Sequence, residues 1–332
     1  MDQTPSSLAA TSPAISVSDS PRIAVLVPCY NEAAAIGTVV RDFRRALPSA
    51  TVYVYDNNSV DGTREAARAA GAVVRSERLQ GKGYVVRRMF ADIEADVYVL
   101  VDGDDTYHAA SAPALVGRLL EDRLDMVNGA RVTGIKAAYR PGHRFGNLLL
   151  TSMVAGIFGN RIGDMLSGYR VFSRRFVKSF PALSGGFEIE TELTVHALEL
   201  AMPVAEVATP YKERPEGSVS KLRTVRDGLR ILGAIVKLVK EERPLPFFSL
   251  VFGALAVAAL VLIGPVVMTF LETGLVPRFP TAILAMGLML LGFLSLACGL
   301  ILDTVTRGRK ELKCLHYLAI PFDAPNNKAD PI

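Results

Sequence analysis

The sequence predicts an α/β protein in which a Rossmann-like domain with a mainly parallel sheet is followed by a C-terminal two-helix transmembrane hairpin. Three observations predict this fold class. From residue 23 onwards β-rich runs alternate with helical stretches, two long runs near the C-terminal end lack charged side chains, and Lys and Arg residues flank both runs. Hydrophobic residues make up 50% of the 332, and the mean hydropathy is +0.29. That value is high for a soluble protein, so apolar residues must be concentrated in one region.

The predicted sheet domain begins with three β-rich runs, which are IAVLV (23 to 27), TVYVYD (51 to 56) and DVYVLVD (96 to 102). The segments between these runs space their apolar residues as helices do, over roughly residues 32 to 46, 60 to 70 and 82 to 94. Such alternation predicts parallel strands joined by helices. Ligands of these sheets bind beyond the carboxyl ends of the strands, so the loops after the three strands are where a site is expected.

Residues 244 to 271 and 279 to 302 carry no charged side chain, and each run exceeds the ~20 residues that cross a bilayer. Two buried helices of a soluble protein are the alternative, but charge-free runs of this length are rare in globular cores. Basic residues lie before the first run and after the second, at Lys237, Lys240, Arg243, Arg307, Arg309, Lys310 and Lys313. The positive-inside rule therefore predicts that both ends of the hairpin are cytoplasmic.

Two further segments have a membrane-related alternative. Residues 222 to 243 alternate apolar and basic positions, as an interfacial helix on anionic headgroups does, although a domain-packing helix has the same pattern. Residues 145 to 160 are uncharged but too short to span, so they either dip into the leaflet or lie in the core. Residues 1 to 20 are rich in Ser, Ala, Thr and Pro and lack the features of a signal peptide, which predicts a disordered tail.

Charge and cysteine content argue against nucleic-acid binding and against a cysteine-based metal site or disulfide framework. A net charge of +4 is too small to indicate nucleic-acid binding. Cys29, Cys298 and Cys314 have neither the spacing of a metal site nor that of a disulfide framework, which favours a reducing compartment.

The strongest local signal is Asp102-Gly103-Asp104-Asp105, directly after a predicted buried strand. Carboxylates one residue apart at a strand end can converge on a hard divalent cation, which prefers oxygen ligands and leaves coordination positions for phosphate oxygens. A bare DxD sequence also occurs in solvated turns. Its position at the end of a strand favours metal binding here.

The loops after the first two strands supply further polar groups. Tyr30 could contact a base or sugar, and Glu32 and Asp56 could accept hydrogen bonds from base or ribose hydroxyls. Ser59 and Asp61 are better explained by turn and N-cap chemistry before the next helix. Gly81-Lys82-Gly83 opens the third helix, where backbone N–H groups and a Lys suit an anion.

Taken together, these residues resemble glycosyltransferase family 2, and more narrowly its polyprenyl-phosphate sugar transferases of the dolichol-phosphate mannosyltransferase type. The matching segments run in family order over roughly residues 22 to 240, as VPCYNE (27 to 32), YDNNSVDGT (55 to 63), GKGYVVR (81 to 87), DGDDTY (102 to 107), NGAR (128 to 131), DMLSGYRVFSR (164 to 174), GGFEIETEL (185 to 193) and RPEGSVSK (214 to 221). The resemblance implies a GT-A fold that binds a nucleotide-sugar together with Mg²⁺ or Mn²⁺.

The resemblance also implies roles for individual residues. Nucleotide-sugar contacts fall on Pro28, Tyr30, Glu32, Asp56, Lys82, Asp102, Gly103, Asp104, Arg214 and Lys221. Metal ligation falls on Asp104, with Asp102 and Thr106 as candidates to complete the shell, and contacts to the acceptor phosphate fall on Arg131, Arg144, Ser220 and Lys221. Asp104 and Arg131 are the residues expected to carry catalysis.

The sequence departs from the family pattern near Thr106 and between Arg214 and Lys221. Thr106 stands where several relatives carry a Gln that binds the metal, so Asp102, Asp105 or water could complete the shell instead. The interval from Arg214 to Lys221 is one residue longer than in the archaeal and eukaryotic members, which leaves Ser220 and Lys221 as alternatives for one role. Arg140 lies close to Arg144 and competes with it.

The implied organisation is a catalytic domain over residues 21 to 221, an interfacial helix over 222 to 243, a hairpin over 244 to 303 and a cytoplasmic tail over 304 to 332. The expected activity is transfer of one sugar to a polyprenyl phosphate, such as undecaprenyl phosphate, at the cytoplasmic face of the cell membrane. A processive polysaccharide synthase is the alternative enzyme, but the chain has no Trp for a QxxRW motif and only two spans. A non-catalytic anchoring subunit is the other alternative. Small residues at Gly253, Ala254, Gly287 and Gly292 would permit packing between copies in a homo-oligomer.

Overall fold

A seven-stranded sheet lies at the centre of the protein, in the order β3-β2-β1-β4-β6-β5-β7. The computed structural model describes residues 20–132, 162–186, 188–212 and 240–322. The strands are β1 (Ile23–Cys29), β2 (Thr51–Asp56), β3 (Val73–Ser76), β4 (Val97–Leu100), β5 (Met126–Val132), β6 (Arg170–Ser173) and β7 (Val204–Pro210). Among these seven strands, β6 is antiparallel to its two neighbours, β4 and β5, and all other pairs are parallel.

Helices cover both faces of the sheet. They are α1 (Ala33–Ala46), α2 (Thr63–Ala69), α3 (Lys82–Asp92), α4 (Ala112–Glu121), α5 (Arg174–Ser179) and α6 (Ile189–Glu199). Alternate residues of β1 enter opposite cores: Val25 and Val27 pack with α1, α2 and α4, and Leu26 packs with α3, α5 and α6. Strands buried on both faces explain why β1 reads as an unbroken apolar run.

The structure confirms the predicted α/β class and most of the predicted elements. Strand β2 matches its predicted residues, β1 is two residues longer, and β4 is shorter than the run 96 to 102. Strands β3, β5, β6 and β7 were not predicted. Strand β3 is a short edge strand with Val73 42% exposed, so it lacks the apolar run that identified β1, β2 and β4.

Two C-terminal helices, α7 (Pro244–Thr273) and α8 (Phe279–Leu318), are long and apolar enough to cross a membrane. Only 11% and 17% of their most apolar windows are buried within the protein, unlike core helices of a soluble domain. They pack against each other, and a Cβ at Gly292 would lie 3.1 Å from a ring carbon of Phe252. Gly292 therefore serves the contact within the hairpin, whereas a Cβ at Gly253 or Gly287 would meet no atom of the described residues within 4 Å.

Helix α8 does not end where its uncharged run ends. It continues to Leu318, so the first part of the predicted tail is helical. Residues 303 to 318 extend the helix by about 16 residues, a rise of roughly 24 Å. Most of the predicted interfacial helix, the uncharged stretch 145 to 160 and residues 1 to 19 lie outside the described residues.

Candidate active site

The loops after β1, β2 and β4 meet at one edge of the sheet, as the sequence predicts. Cys29 and Asp56, the last residues of β1 and β2, are paired in register. β4 lies beside β1 in the parallel sense, so Asp102 and Asp104 follow it at the same edge. We call this edge, with its loops, the catalytic edge.

The β1 and β2 loops are held together by reciprocal hydrogen bonds. The backbone N–H of Asn31 donates to Oγ of Ser59 at 2.8 Å, and that of Val60 donates to Oδ1 of Asn31 at 2.9 Å. Asn31 has a left-handed φ of 52°, a conformation that Asn tolerates better than most residues. Asp61 has the expected turn contact, since its Oδ1 accepts from the backbone N–H of Thr63. It also joins the two loops, as Ser59 does, because its Oδ2 accepts from the backbone N–H of Ala33 at 3.1 Å.

The predicted nucleotide contacts differ in exposure. Tyr30 is 37% exposed at the surface of the edge, while Glu32 is buried and its backbone N–H donates to Thr63. Asp56 is fully buried, accepts from the backbone N–H of Ser59 and pairs with Nε of Arg64 at 2.6 Å. The sequence did not predict the ion pair between Arg64 and Asp56, because nothing in the spacing of the two residues distinguishes Arg64 from a surface charge on α2.

The carboxylates of the acidic motif have different contacts. Asp104 is buried, and its Oδ1 accepts from the hydroxyl of Thr106 at 2.6 Å. In this structure Thr106, predicted as a metal ligand, therefore directs its hydroxyl at Asp104. Asp105 has a left-handed φ of 59° and forms an ion pair with Lys212 at 2.8 Å. Gly103 fits because a Cβ there would lie 2.5 Å from the Cys29 sulfur.

Lys82 lies between two carboxylates at the catalytic edge. Its Nζ is 2.5 Å from Oδ1 of Asp102 and 2.5 Å from Oε1 of Glu190, which lies in the first turn of α6. Burial alone would lower the pKa of Lys82, but the charges of Asp102 and Glu190 outweigh burial and raise it above its ordinary value. The other Glu190 oxygen, Oε2, is buried with no hydrogen-bond partner among the described residues. We call Lys82, Asp102 and Glu190 the charged trio.

Glycines allow the loop that carries Lys82 to approach its neighbour. The backbone N–H of Gly83 donates to the carbonyl of Gly185 at 3.2 Å. A Cβ on Gly83 would overlap the carbonyl oxygen of Ser184, and one on Gly81 would overlap that of Gly185. The Gly81-Lys82-Gly83 segment is therefore specified by close backbone packing, and its predicted contact with an anion stays a prediction.

Arg131, near the carboxyl end of β5, forms a two-pronged ion pair with Asp164. Its Nε and Nη2 each lie 2.7 Å from a different oxygen of that carboxylate, and its backbone N–H donates to the same group at 3.1 Å. Burial alone would raise the pKa of Asp164, but the hydrogen bonds and charge of Arg131 lower it below its usual range. The guanidinium also lies 5.6 Å from the ring centre of Tyr211.

Asp164 belongs to the segment before β6, which reaches the catalytic edge because β6 runs antiparallel. The hydroxyl of Ser167 donates to the Gly129 carbonyl at 2.6 Å, and the backbone N–H of Gly168 donates to the hydroxyl of Tyr107 at 2.7 Å. Arg170, fully buried, donates to the Ser167 carbonyl at 3.0 Å, and burial lowers its pKa to about 10. These contacts fix the segment against β4 and β5.

The carboxylate oxygens at this edge are the type of ligand that a hard divalent cation prefers. Among the residues that the structure describes, no three His, Cys, Asp or Glu side chains are grouped as a ready-made metal centre. Asp102 and Asp104 offer carboxylate oxygens, and the other ligands of such a cation can be diphosphate oxygens and water. A Cβ at Gly168 would overlap Oδ2 of Asp102, so only glycine leaves room for that carboxylate.

Four predicted site residues, Arg144, Arg214, Ser220 and Lys221, lie outside the described residues. Their assignment to donor diphosphate or acceptor phosphate stays a prediction.

Comparison with known proteins gives consistent results. Residues 24–180 match the family described as Glycosyl transferase family 2. The chain is 38% identical over 233 residues to glycosyltransferase AglJ of Haloferax volcanii, covering 68% of this chain and 75% of AglJ. It is 30% identical over 221 residues to a dolichyl-phosphate hexose transferase of the same organism, covering 67% of this chain and 95% of that protein.

Solved structures show the same fold. Glucosyl-3-phosphoglycerate synthase of Mycobacterium tuberculosis in complex with phosphoglyceric acid superposes with a TM-score of 0.55 at 23% identity, over 65% of this chain and 79% of that one. Its complex with Mn²⁺ and UDP-glucose gives a TM-score of 0.51 at 25% identity, over 66% and 78% of the two chains. The sheet is thus a GT-A sheet, and the chain belongs to glycosyl transferase family 2.

Proposed function

We propose that this glycosyltransferase moves a single sugar from a nucleotide-sugar onto a polyprenyl phosphate, such as undecaprenyl phosphate, at the cytoplasmic face of the cell membrane. One observation carries the proposal: a pair of carboxylates, Asp102 and Asp104, and a half-buried guanidinium, Arg131, share one sheet edge in a chain with a membrane-type hairpin. The name of the dolichyl-phosphate hexose transferase from Haloferax volcanii supports a polyprenyl-type acceptor.

The reaction is a single displacement at the anomeric carbon with inversion. A phosphate oxygen of the acceptor forms the new bond to that carbon, and the bond to the donor diphosphate breaks, so that the nucleoside diphosphate leaves with the electron pair. The second pKa of a phosphate monoester is about 6, so the acceptor is largely dianionic at neutral pH and needs no general base.

The glutamates near the site are engaged in ways that fit this mechanism. Glu190 binds Lys82, and Glu192 accepts hydrogen bonds from the backbone N–H groups of Leu183 and Ser184 at 2.8 Å each. Both therefore have positioning contacts, and we assign neither as a base.

The chain's own task is to hold two anions close together. Arg131 supplies a planar guanidinium for the acceptor phosphate. Its Nε and Nη2 donate to Asp164, which fixes its orientation, so the phosphate would be bound by the N–H groups that do not face Asp164. Lys82 lies beside Asp102, where the donor diphosphate is expected, and Pro28, Tyr30, Glu32 and Asp56 line the nucleoside side. Mg²⁺ or Mn²⁺ held by Asp102 and Asp104 would neutralise the charge of the departing diphosphate.

The test is transfer from radiolabelled UDP-sugars and GDP-sugars to undecaprenyl phosphate in vesicles containing the full-length protein and Mn²⁺. We expect Asp104→Asn to lower transfer about 100-fold or more, because it removes a charged oxygen ligand at nearly constant volume. Asp122→Asn, a partly exposed carboxylate at the end of α4, is the matched control and should retain transfer.

Near-normal turnover by Asp104→Asn at saturating Mn²⁺ would refute the metal role. Transfer of several sugars to one acceptor would instead favour the processive synthase. A thermal-shift screen across nucleotide-sugars with Mn²⁺ would identify the donor, because a ligand that binds the folded state raises the apparent stability.

A further inference from the structure

The last turns of α8 contact the catalytic domain at the edge opposite to the catalytic edge. The hydroxyl of Tyr317 donates to Oδ2 of Asp125 at 2.6 Å, and Asp125 directly precedes β5, whose other end carries Arg131. Nζ of Lys313 lies 2.7 Å from Oε2 of Glu199, the last residue of α6. We call this pair of contacts the dock.

The dock is built from buried acceptors on the domain side. Asp125 is fully buried and also binds the guanidinium of Arg175, which lies 5.0 Å from the ring centre of Tyr317. Glu199 is only 5% exposed. Hydrogen bonds to buried charged acceptors are stronger than those to neutral or exposed acceptors, so the dock is a specific contact.

The helix that reaches the dock is continuous with the second membrane-type run. Residues 303 to 318, which we call the strut, rise by roughly 24 Å beyond the uncharged part of α8. Near its base the strut is tied to the chain preceding α7, since the Glu241 carbonyl accepts from Thr306 Oγ1 at 3.1 Å and from Arg309 Nη2 at 3.3 Å. Because the strut is held at both ends, it fixes the position of the catalytic domain relative to the hairpin as well as attaching the two.

The depth of the sheet is similar to the height of the strut. Strand β5 has 7 residues, which span about 23 Å at ~3.3 Å per residue. If β5 runs back along the strut from the dock, these similar lengths bring the catalytic edge to the level at which α8 leaves the membrane.

We propose that the strut and its dock position the catalytic domain with its catalytic edge at the membrane surface, and that Tyr317 and Lys313 are positioning residues for transfer to acceptors embedded in a bilayer. This inference rests on the proposed polyprenyl phosphate acceptor. It assigns a role in catalysis to two side chains at the opposite end of the domain from the reacting atoms.

The first experiment compares two acceptors with full-length protein in vesicles: undecaprenyl phosphate in the bilayer and geranyl phosphate, a short-chain analogue, in water. In the double variant Tyr317→Phe with Lys313→Ala, loss of two charge-assisted hydrogen bonds should lower transfer to the bilayer acceptor about tenfold. Transfer to geranyl phosphate should stay within about twofold, because the catalytic edge itself is unchanged. Lys310→Ala, an exposed Lys on the same helix, is the matched control.

An equal loss with both acceptors, or no loss with either, would overturn the positioning role. The second experiment needs no turnover: a dye is placed at Val60→Cys, which is 90% exposed in the β2 loop, in a Cys298→Ser and Cys314→Ser background. Energy transfer to headgroup dyes should change in the double variant and stay constant in Lys310→Ala.

Unchanged energy transfer would refute the strut proposal even in an active enzyme. If the wild-type protein uses neither phosphate acceptor, the proposed function fails, and the energy-transfer result still decides whether the strut fixes the domain.

Discussion

Replacing Lys82 by Met should expose how much the charged trio contributes to both folding and donor binding. The substitution keeps a long side chain but removes the ammonium that lies 2.5 Å from Asp102 and 2.5 Å from Glu190. The two carboxylate oxygens are at most about 5 Å apart, since both contact one nitrogen, and without it they repel each other. Glu190 already has one buried oxygen without a partner among the described residues and would lose the partner of the other.

The burial of the trio sets the expected magnitude. The side chains of Lys82 and Glu190 are 8% and 7% exposed, so Glu190 would become an uncompensated buried charge. Removing one partner of a buried ion pair costs about 3–5 kcal/mol, and the lower end applies here because Asp102 is 30% exposed and partly screened by water. In the control Arg118→Met, the pair with Asp122 is 54% and 38% exposed, which should limit the loss to about 1 kcal/mol or less.

The assay is urea unfolding of the full-length protein in detergent, in a cycle of Lys82→Met, Glu190→Gln and the double variant. The double variant should recover about 1–3 kcal/mol relative to the sum of the single variants, because Gln removes the unpaired charge. Transfer activity should not recover, since the ammonium at the proposed position of the donor diphosphate stays absent. Additive effects within about 0.5 kcal/mol, or equal losses for Lys82→Met and Arg118→Met, would refute this account of the trio.

Two other substitutions test the acceptor side and the pH dependence. Arg131→Lys keeps the positive charge but cannot form the two-pronged ion pair with Asp164. In initial-rate kinetics the KM for undecaprenyl phosphate should therefore rise severalfold, and the KM for the donor should stay within about twofold. Equal effects on both KM values would contradict the assignment of Arg131 to the acceptor, and Arg118→Lys is the control. Burial, helped by the charge of Lys313, lowers the pKa of His196 to about 3 from 6.5, so the unfolded chain binds a proton there that the folded protein does not. Stability should therefore be full above pH 6.5 and fall as the pH drops towards 3, by at most about 1.4 kcal/mol per pH unit. His196→Gln should flatten that slope in urea midpoints measured between pH 7 and pH 4.5, and an unchanged slope would show that other groups dominate.

Local patterns in the sequence were sufficient to predict strands β1, β2 and β4 and helices α1 to α3. Strands β1, β2 and β4 are apolar runs followed by polar loops, and the rule for carboxyl ends placed Asp56, Asp102 and Asp104 on one edge before any pairing was known. Helices α1 to α3 were predicted to within three residues because their apolar spacing and their Gly or Pro boundaries are local signals.

The partners of the charged residues depend on contacts that no local pattern encodes. Lys82 and Glu190 are 108 positions apart, and Arg131 and Asp164 are 33 apart. The Gly81-Lys82-Gly83 segment at a helix start indicated Lys82, and the family resemblance indicated Arg131, as cations suited to anions. Neither could show that each is bound to a carboxylate. The antiparallel direction of β6, which brings Asp164 and Gly168 to the catalytic edge, is likewise a property of strand pairing.

The position of β6 in the sheet also affects how the protein is made. Strand β4 is the last of the four parallel strands in the first half of the chain, and the side of β4 that faces away from β1 is covered by β6, which begins at Arg170. During synthesis from the N-terminus, β1 to β4 can pair as soon as they emerge, which leaves β4 with an open row of backbone N–H and C=O groups. The nascent chain therefore has an unpaired sheet edge until Ser173 has left the ribosome. Chaperone binding or aggregation is expected during this interval.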